Sequence, residues 1–384
     1  MANGVNRRSL FQLAGAAALL RSTVAGAQQA QQPSGSAPRP SRPPMNFGGH
    51  TESFPGPDFR STVAIAHGDQ RRKNVYTALK SIDEQLQAKM KGKKYVVIKP
   101  NFVNTTNQLA ALHADAVRGI LDYLSESFKG AAVIAESSAG DTKDGYDNYK
   151  YHALTSEYRR QQVKLIDLND EAKFERVALL DKDLHIVPCR IAARLVDPEA
   201  FVISACMLKT HNTVIASLSI KNMVLGAPLH QATGENPRWN EKRKFHVGLR
   251  QTHYNMMVTA QRLNWGASVI DGYEGMEGNG PNSGTPVPSR IALASTDFVA
   301  ADRVAAETMG MDPEWLGYVK YCGEVGLGQF DGSKIDVIGA KIADVKKAYR
   351  MHPDIERELK WQGPLTELPF NLGWLHALDY TREG

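Results

Sequence analysis

The sequence predicts an α/β fold with a largely parallel sheet, helices on both faces and a small antiparallel excursion. From Thr62 onward, short runs rich in β-branched and apolar residues alternate with longer segments of helical periodicity. Most of the short runs are continuously apolar, as expected of strands that are covered on both faces. The repeated order of strand and helix favours parallel pairing, because each helix returns the chain to the same edge of the sheet.

The predicted elements follow in order along the chain. We predict strands at residues 63–66, 95–98, 131–135, 164–168, 201–205, 267–270, 291–294 and 335–338. The clearest helical patterns are residues 75–90, in which Leu79, Ile82 and Leu86 share one stripe, and residues 114–128. Two short runs within residues 173–197 predict the antiparallel excursion.

Four parts of the chain differ in composition. We predict a signal peptide at residues 1–27, a disordered linker at 28–59, one composite α/β domain at 60–345, and a tail at 346–384 that packs on the domain. The linker is rich in Gln, Pro and Ser, and it lacks the apolar area that would offset the entropy of ordering. No internal repeat is visible in the domain.

The N-terminal segment has the order of a secretory signal. Arg7 and Arg8 precede an apolar run at residues 10–20, and Ala25-Gly26-Ala27 follows with the small residues that a signal peptidase requires. Paired arginines indicate the twin-arginine export machinery as a partner, so we expect an exported protein, periplasmic or extracellular. The apolar run of ~11 residues is too short to cross a bilayer, so we expect no membrane span after signal removal.

Charge and cysteine content exclude several classes of partner. The formal net charge is +5, but Arg7, Arg8 and Arg21 lie in the predicted signal, and 43 basic and 41 acidic residues remain without them. A nearly neutral mature chain has no electrostatic footprint for nucleic acid. Three scattered cysteines are too few for a disulfide framework or a four-thiolate cluster, so an iron–sulfur cluster is not expected. Whether Cys189 and Cys206 pair is left open.

Four predicted strands end in polar residues. The four endings are Lys99-Pro100-Asn101, Glu136-Ser137-Ser138-Ala139-Gly140, Lys209-Thr210-His211 and Asp271-Gly272-Tyr273-Glu274-Gly275-Met276-Glu277. Ligands of open α/β sheets bind beyond the carboxyl ends of the strands. The sequence therefore predicts that these side chains converge on one charged crevice.

Each motif also has a structural interpretation. A lysine at a strand end, such as Lys99 or Lys209, commonly extends its ammonium group to solvent. The turn at residues 137–140 either caps the next helix or offers backbone N–H groups to an anion. Lys221 lies four residues after Ser217, on the same face of a predicted helix, and is either functional or solvated.

Carboxylates in two segments suggest a divalent metal. Asp271, Glu274 and Glu277 share a glycine-rich turn, which matches hard-cation chemistry but is also common in solvated turns. Asp302 falls on the apolar stripe of a predicted helix that Asp297 caps. If buried, its carboxylate needs either a cationic partner or a metal ion, and the two interpretations have equal weight.

Several of these segments, taken in order, resemble the family known as domain of unknown function 362. The matching stretches are Ile98-Lys99-Pro100-Asn101-Phe102-Val103, Glu136-Ser137-Ser138-Ala139-Gly140, Lys209-Thr210-His211, Ser219-Ile220-Lys221-Asn222-Met223, Asp271-Gly272, Met276-Glu277-Gly278-Asn279-Gly280-Pro281 and Asp297-Phe298-Val299-Ala300-Ala301-Asp302. They span roughly residues 60–340. Many relatives carry an appended ferredoxin-like segment with four-cysteine clusters, which this chain lacks.

Our leading hypothesis is an exported, metal- or cofactor-dependent enzyme that acts on a small anionic substrate. His211 is the expected general acid or base, because an imidazole titrates near neutral pH. The predicted site residues are His211, Lys209 and Lys99 for catalysis, Asn101, Ser137, Ser138, Gly140, Lys221 and Asn222 for substrate, and Asp271, Glu277 and Asp302 for metal. The alternatives are a non-catalytic periplasmic binding or maturation protein and, disfavoured by the few cysteines, an iron–sulfur redox module.

Overall fold

The computed structural model describes residues 57–171, 173–230 and 239–362. The predicted signal peptide, residues 28–56 of the predicted linker and residues 363–384 of the predicted tail lie outside the described residues. No helix of the described part is long and apolar enough to span a bilayer.

Twelve strands are present in the described ranges. They are β1 Ser61–His67, β2 Tyr95–Lys99, β3 Ala131–Glu136, β4 Lys164–Asp167, β5 Phe174–Leu180, β6 Ile186–Ala192, β7 Ala200–His211, β8 Ile215–Ser217, β9 Ala267–Glu277, β10 Thr285–Val287, β11 Ile291–Ser295 and β12 Ile335–Gly339. All eight strands predicted from the apolar runs are among them. The short strands β8 and β10 were not predicted, because three residues carry no periodicity.

The main sheet has the strand order β12-β1-β11-β9-β7-β2-β3-β4, with β8 beside β7 and β10 beside β9. Strands β9, β7, β2, β3 and β4 are mutually parallel, and β1 pairs with β12 in parallel as well. Along this path, β11 is the strand that runs antiparallel to both of its neighbours. Strands β5 and β6 form a separate antiparallel pair. The predicted parallel sheet and antiparallel excursion are therefore confirmed.

Eleven α-helices connect or flank the strands in the described ranges. They are α1 Arg71–Ser81, α2 Asp83–Met90, α3 Ala114–Ser127, α4 Thr142–Asn148, α5 His152–Glu157, α6 Ser219–Gly226, α7 Leu249–Ala260, α8 Phe298–Thr308, α9 Gly317–Glu324, α10 Ile342–Val345 and α11 Ile355–Glu358. The helix predicted at residues 75–90 is divided at Ile82, whose N–H bonds to the Leu79 carbonyl in a tighter turn.

Two apolar cores lie on opposite faces of the sheet. Successive residues of a strand point to opposite faces, and in β2 Val97 joins one core whereas Val96 and Ile98 join the other. Helices α1 and α3 pack in the second core, and helices α6 to α9 pack in the first. Both faces of the sheet are thus covered, which explains why the strand sequences are continuously apolar.

The described cysteines do not pair. Cys189, Cys206 and Cys322 are all buried free thiols. Burial raises the pKa of Cys206 well above its ordinary value, so this thiol remains protonated in the core.

The long strand β7 determines where the polar side chains lie. Lys99, the last residue of β2, is in register with Ser204 of β7. Strand β7 continues to His211 and pairs there with β8 and β9. All of β7 is buried. Its carboxyl end therefore rises beyond the end of β2 and forms a wall beside it.

Candidate functional site

A cavity of about 340 Å³ opens at the carboxyl ends of β2, β3 and β7. Its volume falls at the small end of the range of small-molecule sites. Helix α6, the segment at residues 240–246 and the turn after β9 complete the wall. The predicted site residues that line this cavity are Lys99, Asn101, Ser137, His211, Lys221 and Asn222.

Lys99 is fixed at the base of the cavity by a buried ion pair. Its Nζ lies 2.7 Å from Glu136 Oε1 and also donates to Glu136 Oε2 at 3.0 Å and to Asn222 Oδ1 at 2.7 Å. Glu136 accepts two further hydrogen bonds, from the N–H groups of Phe102 and Ser137. Burial lowers the pKa of Lys99, and the Glu136 carboxylate opposes that shift.

A chain of amides extends this pair across the floor of the cavity. Asn222 Oδ1 also accepts a hydrogen bond of 3.3 Å from Asn101 Nδ2, and its Nδ2 donates to the Lys99 carbonyl. Lys209 donates to Asn101 Oδ1 at 2.5 Å and to the Ala110 carbonyl at 3.0 Å. Lys209 is completely buried and does not line the cavity. In this geometry, Lys209 positions Asn101 and has no direct access to a ligand.

Helix α6 begins on a carboxylate from another helix. Asp302 of α8 accepts the N–H groups of Ser219 and Ile220, each at 2.8 Å. These are two of the N-terminal N–H groups that a helix cannot satisfy itself, and the helix dipole favours a negative charge there. Burial raises the pKa of Asp302 to about 8, while the two N–H groups lower it. Asp302 thus caps α6 in this structure, and its role as a metal ligand stays a prediction.

The face of α6 that meets Lys99 depends on a glycine. Asn222 and Gly226 are four residues apart and share this face. A Cβ atom built on Gly226 would lie 2.2 Å from both Nζ and Cε of Lys99. A side chain at position 226 would therefore displace the Lys99 ammonium from Glu136.

Two more lysines contribute positive charge at the cavity. Lys221 is 6% exposed, and its ammonium makes no hydrogen bond or ion pair with the described residues. Lys242 donates to the carbonyls of Leu225 and Pro228 at 2.9 and 2.8 Å. Burial and the charge of Lys99 lower the pKa of Lys221 to about 8. Burial lowers the pKa of Lys242 to about 7.

His211 faces the cavity as a neutral ring. Its Nδ1 accepts the backbone N–H of Thr213 at 3.0 Å. Because a backbone N–H can only donate, the ring proton is assigned to Nε2. Burial, and then the charge of Lys221, lower the pKa of His211 well below its ordinary value. This geometry favours a hydrogen-bond donor over the general acid or base that the sequence predicted.

The serine turn is only partly available to a ligand. Ser137 lines the cavity, whereas Ser138 and Gly140 do not. The Ser137 N–H donates to Glu136, and the Ser138 N–H donates to Thr142 Oγ1 at 3.1 Å. These two N–H groups are therefore occupied by the protein, and the predicted oxyanion role does not extend to them.

The predicted metal ligands do not gather. Asp271 is buried and forms an ion pair of 3.0 Å with Arg71, and its burial raises its pKa to about 7. Glu277 accepts the N–H of Arg350 at 2.9 Å. Neither residue lines the cavity. In the described ranges, three ligand atoms that lie close enough together to share one metal ion belong to Asp181, Asp183 and His185, in the turn between β5 and β6.

Several cavity residues were missed at the level of sequence. Glu136 was noted only as the start of a polar turn, yet it is the carboxylate paired with Lys99. Lys242, Arg243 and His246 also line the cavity. They lie in the run Glu241-Lys242-Arg243-Lys244-Phe245-His246, whose many charges are typical of a solvated surface. The buried Phe245 beside these charges was the one local signal that this segment packs inward.

The comparisons with known proteins bear on the family of this chain. A crystal structure of a protein from Thermotoga maritima is similar over 67% of this chain, with 11% identity and a TM-score of 0.36. The similar region spans 60% of the Thermotoga maritima chain. No curated protein matches this sequence. The model of the domain of unknown function (DUF362) matches residues 96–307, which include β2, β3, β7, α6 and Asp302. Because this match covers more than half of the chain, the protein belongs to the family of the domain of unknown function (DUF362).

Proposed function

We propose that the cavity binds a small molecule with at least two negative charges, carried by carboxylate or phosphate groups. The observation that supports this proposal is the imbalance of charge around the cavity. Four basic side chains line it, from Lys99, Lys221, Lys242 and Arg243, against the single carboxylate of Glu136. Since Glu136 is already paired with Lys99, three cationic groups face the cavity without a carboxylate among the described lining residues.

The electrostatics of the cavity favour an anion. The pKa values of Lys221 and Lys242 are lowered, because each ammonium group is desolvated and lies near the charge of Lys99. A bound anion would supply the missing counter-charge and restore these pKa values. The neutral His211 ring adds a donor at Nε2 for an anionic oxygen. Phe102, Leu225 and Pro281 line the remaining wall, which suits a short carbon skeleton between the charged groups.

The donor set fits an anion better than a divalent cation. Hard cations require several oxygen ligands, and the described lining residues supply one ion-paired carboxylate. The proposal therefore has the lysines, and no metal ion, compensate the negative charge of the ligand. It does not depend on Asp271, Glu277 or Asp302 as ligands.

Calorimetric titration of the purified full chain tests the proposal. Phosphate, pyrophosphate, malonate and citrate serve as probes, and their neutral amide or ester analogues serve as controls. Replacement Lys221→Met should weaken binding of the best anion by about 10- to 100-fold, since hydrogen bonds to charged groups contribute ~1.5–3 kcal/mol. The matched variant Lys91→Met, at the exposed end of α2, should bind as the unmodified protein does.

Two outcomes would overturn the proposal. One is that no anion binds at concentrations up to about 10 mM, where even weak specific sites are occupied. The other is that Lys91→Met weakens binding as much as Lys221→Met, which would indicate a non-specific effect of net charge.

We also propose that the protein is exported through the twin-arginine route. Support comes from the order of Arg7-Arg8, the apolar run at residues 10–20 and Ala25-Gly26-Ala27. The double replacement Arg7→Lys and Arg8→Lys should retain the protein in the cytoplasm with its N-terminus uncleaved. Fractionation and N-terminal sequencing provide the measurement, and export of the double variant at the normal level would refute the route.

A further inference from the structure

The lysines around the cavity fall into two groups by their partners. Lys99 has Glu136 and Asn222, and Lys209 and Lys242 each donate to two oxygen atoms. Lys221 is also buried, with 6% of its surface exposed, yet its Nζ makes no hydrogen bond or ion pair with the described part of the chain. Asp302 holds the first turn of α6, and thus the helix that carries Lys221, by its two backbone hydrogen bonds.

We propose that Lys221 is a nucleophile that forms an imine with the carbonyl carbon of an anionic substrate, such as a 2-oxo acid. The proposal rests on the proposed function, because the same cavity must first bind the substrate's negative group. It adds a substrate class, an oxo acid or a phosphorylated aldehyde or ketone, and a covalent step. An unpartnered, buried amine that faces a ligand cavity is the arrangement that imine chemistry requires.

The amine must be neutral to attack. Burial and the nearby charge of Lys99 lower the pKa of Lys221 to about 8, so about a tenth of the amine is neutral at pH 7, against less than about a thousandth for an ordinary lysine. An ion pair would have favoured the charged form, as Glu136 does for Lys99. The absence of a carboxylate partner for Lys221 within the described residues thus has a chemical consequence.

The step balances with the groups at the site. The Nζ lone pair attacks the carbonyl carbon, the C=O π bond breaks, and the oxygen takes a proton to give a carbinolamine. Nitrogen loses its extra proton, the hydroxyl takes up a second proton from solvent, and the C–O bond breaks, so that water leaves as the C=N bond forms. The remaining N–H proton then returns to solvent. The net reaction is amine plus carbonyl to imine plus water, with no oxidant or reductant. The Nε2–H of His211 is available to stabilise the developing charge on oxygen.

The remaining cavity groups have supporting roles. Lys242 and Arg243 line the same cavity and can bind the carboxylate or phosphate of the substrate. Lys99 stays paired with Glu136 and acts through its charge on the pKa of Lys221. Lys209 is covered by Asn101 and does not reach a substrate.

Reductive trapping tests this inference on the full chain. The protein is incubated with pyruvate, 2-oxoglutarate or glyoxylate and sodium cyanoborohydride, and adducts are located by intact mass and peptide mapping. We expect one adduct per chain, on Lys221, formed at least about ten times faster than on Lys91, which is exposed and serves as the internal control. Malonate has no aldehyde or ketone carbonyl, so by occupying the cavity it should protect Lys221 from labelling. The variant Lys221→Arg should not form this adduct.

The pH dependence gives a readout that a purely electrostatic role would not produce. At oxo-acid concentrations well below saturation, the rate of adduct formation at Lys221 should rise with a midpoint near pH 8, well below the ~10.4 of an ordinary lysine. Because trapping is measured in the unmodified protein, the result does not depend on whether a Lys221 variant folds.

The failure of this inference is distinguishable from that of the proposed function. If malonate binds in calorimetry but no oxo acid labels Lys221 faster than Lys91, the imine step is refuted and anion binding stands. If labelling is distributed over exposed lysines and malonate gives no protection, the imine step is refuted as well. If malonate and the other anions do not bind at all, the proposed function itself is refuted.

Discussion

The replacement Gly226→Ala, on helix α6, should disrupt the buried ion pair between Lys99 and Glu136. The new Cβ would lie 2.2 Å from Nζ and Cε of Lys99, far inside van der Waals contact. The backbone of α6 cannot retreat freely, because its first turn is bound to Asp302. The flexible end of Lys99 therefore moves, and its contacts with Glu136 and Asn222 are lost.

The magnitude follows from the groups left without partners. Glu136 keeps two backbone N–H donors, so its cost is below the ~3–5 kcal/mol expected for a fully unpaired buried charge. We expect a loss of about 3 kcal/mol from the charged hydrogen bonds. The better helix propensity of alanine offsets up to ~1 kcal/mol. The net decrease in the free energy of unfolding is about 2 kcal/mol, or roughly 3 °C in Tm for a domain of about 300 residues.

A double-mutant cycle separates this mechanism from a general effect of the added methyl group. Urea unfolding is measured for Gly226→Ala, Lys99→Ala and the double variant. Once Lys99 is truncated, the Cβ at position 226 meets no ammonium group, and Gly226→Ala should cost less than about 0.5 kcal/mol. An equal cost of Gly226→Ala in both backgrounds would refute the reasoning, as would an unchanged Tm of the single variant.

The other predictions concern capping, protonation and the covered lysine. Asp302→Asn leaves one acceptor for two N–H groups of α6, so it should lower the free energy of unfolding in urea by about 1–2 kcal/mol. If Asp302 were instead a metal ligand, this loss would depend on added Mg²⁺ or Mn²⁺. The pKa of Lys221 is about 8 and that of Lys242 about 7, and a bound anion should raise both. Binding should therefore take up protons and weaken as pH rises from about 6 to 9. Titrations in buffers of different ionisation enthalpy measure this uptake, and tighter binding at high pH would contradict it. Lys209→Met should lower the free energy of unfolding by about 1–3 kcal/mol but weaken anion binding less than Lys221→Met does, and calorimetry beside urea unfolding compares the two effects.

The parts of the site that the sequence predicted are those that depend on strand direction. Lys99 and His211 follow apolar runs, and parallel strands bring their carboxyl ends to one edge of a sheet. For these two residues, the order of strands along the chain was sufficient. Lys221 and Asn222 follow on the next helix, where the sequence left Lys221 as either functional or solvated, and the structure places all four around the cavity.

The partners of the buried carboxylates could not be predicted in the same way. Asp302 was expected to need a cationic partner or a metal, because a buried carboxylate must be compensated. Its partners are backbone N–H groups of Ser219 and Ile220, which every residue type except proline offers. Asp271 pairs with Arg71, which belongs to a helix that the apolar pattern placed only from residue 75 onward. Residue identity thus indicated that compensation is required but not which group supplies it.

Lys209 and His211 show why two similar signals lead to different roles. They are two residues apart on β7, so they share a face of the strand and differ by about 7 Å in height along it. At the lower position, Asn101 covers Lys209 and accepts its hydrogen bond, and Asn101 itself lines the cavity. At the upper position, no amide intervenes, and His211 reaches the cavity directly. The position of a residue along its strand therefore decides whether its side chain faces the cavity or only positions another side chain. Strand β7 supplies one of each, Lys209 as a positioning residue and the His211 imidazole as a group that faces the cavity.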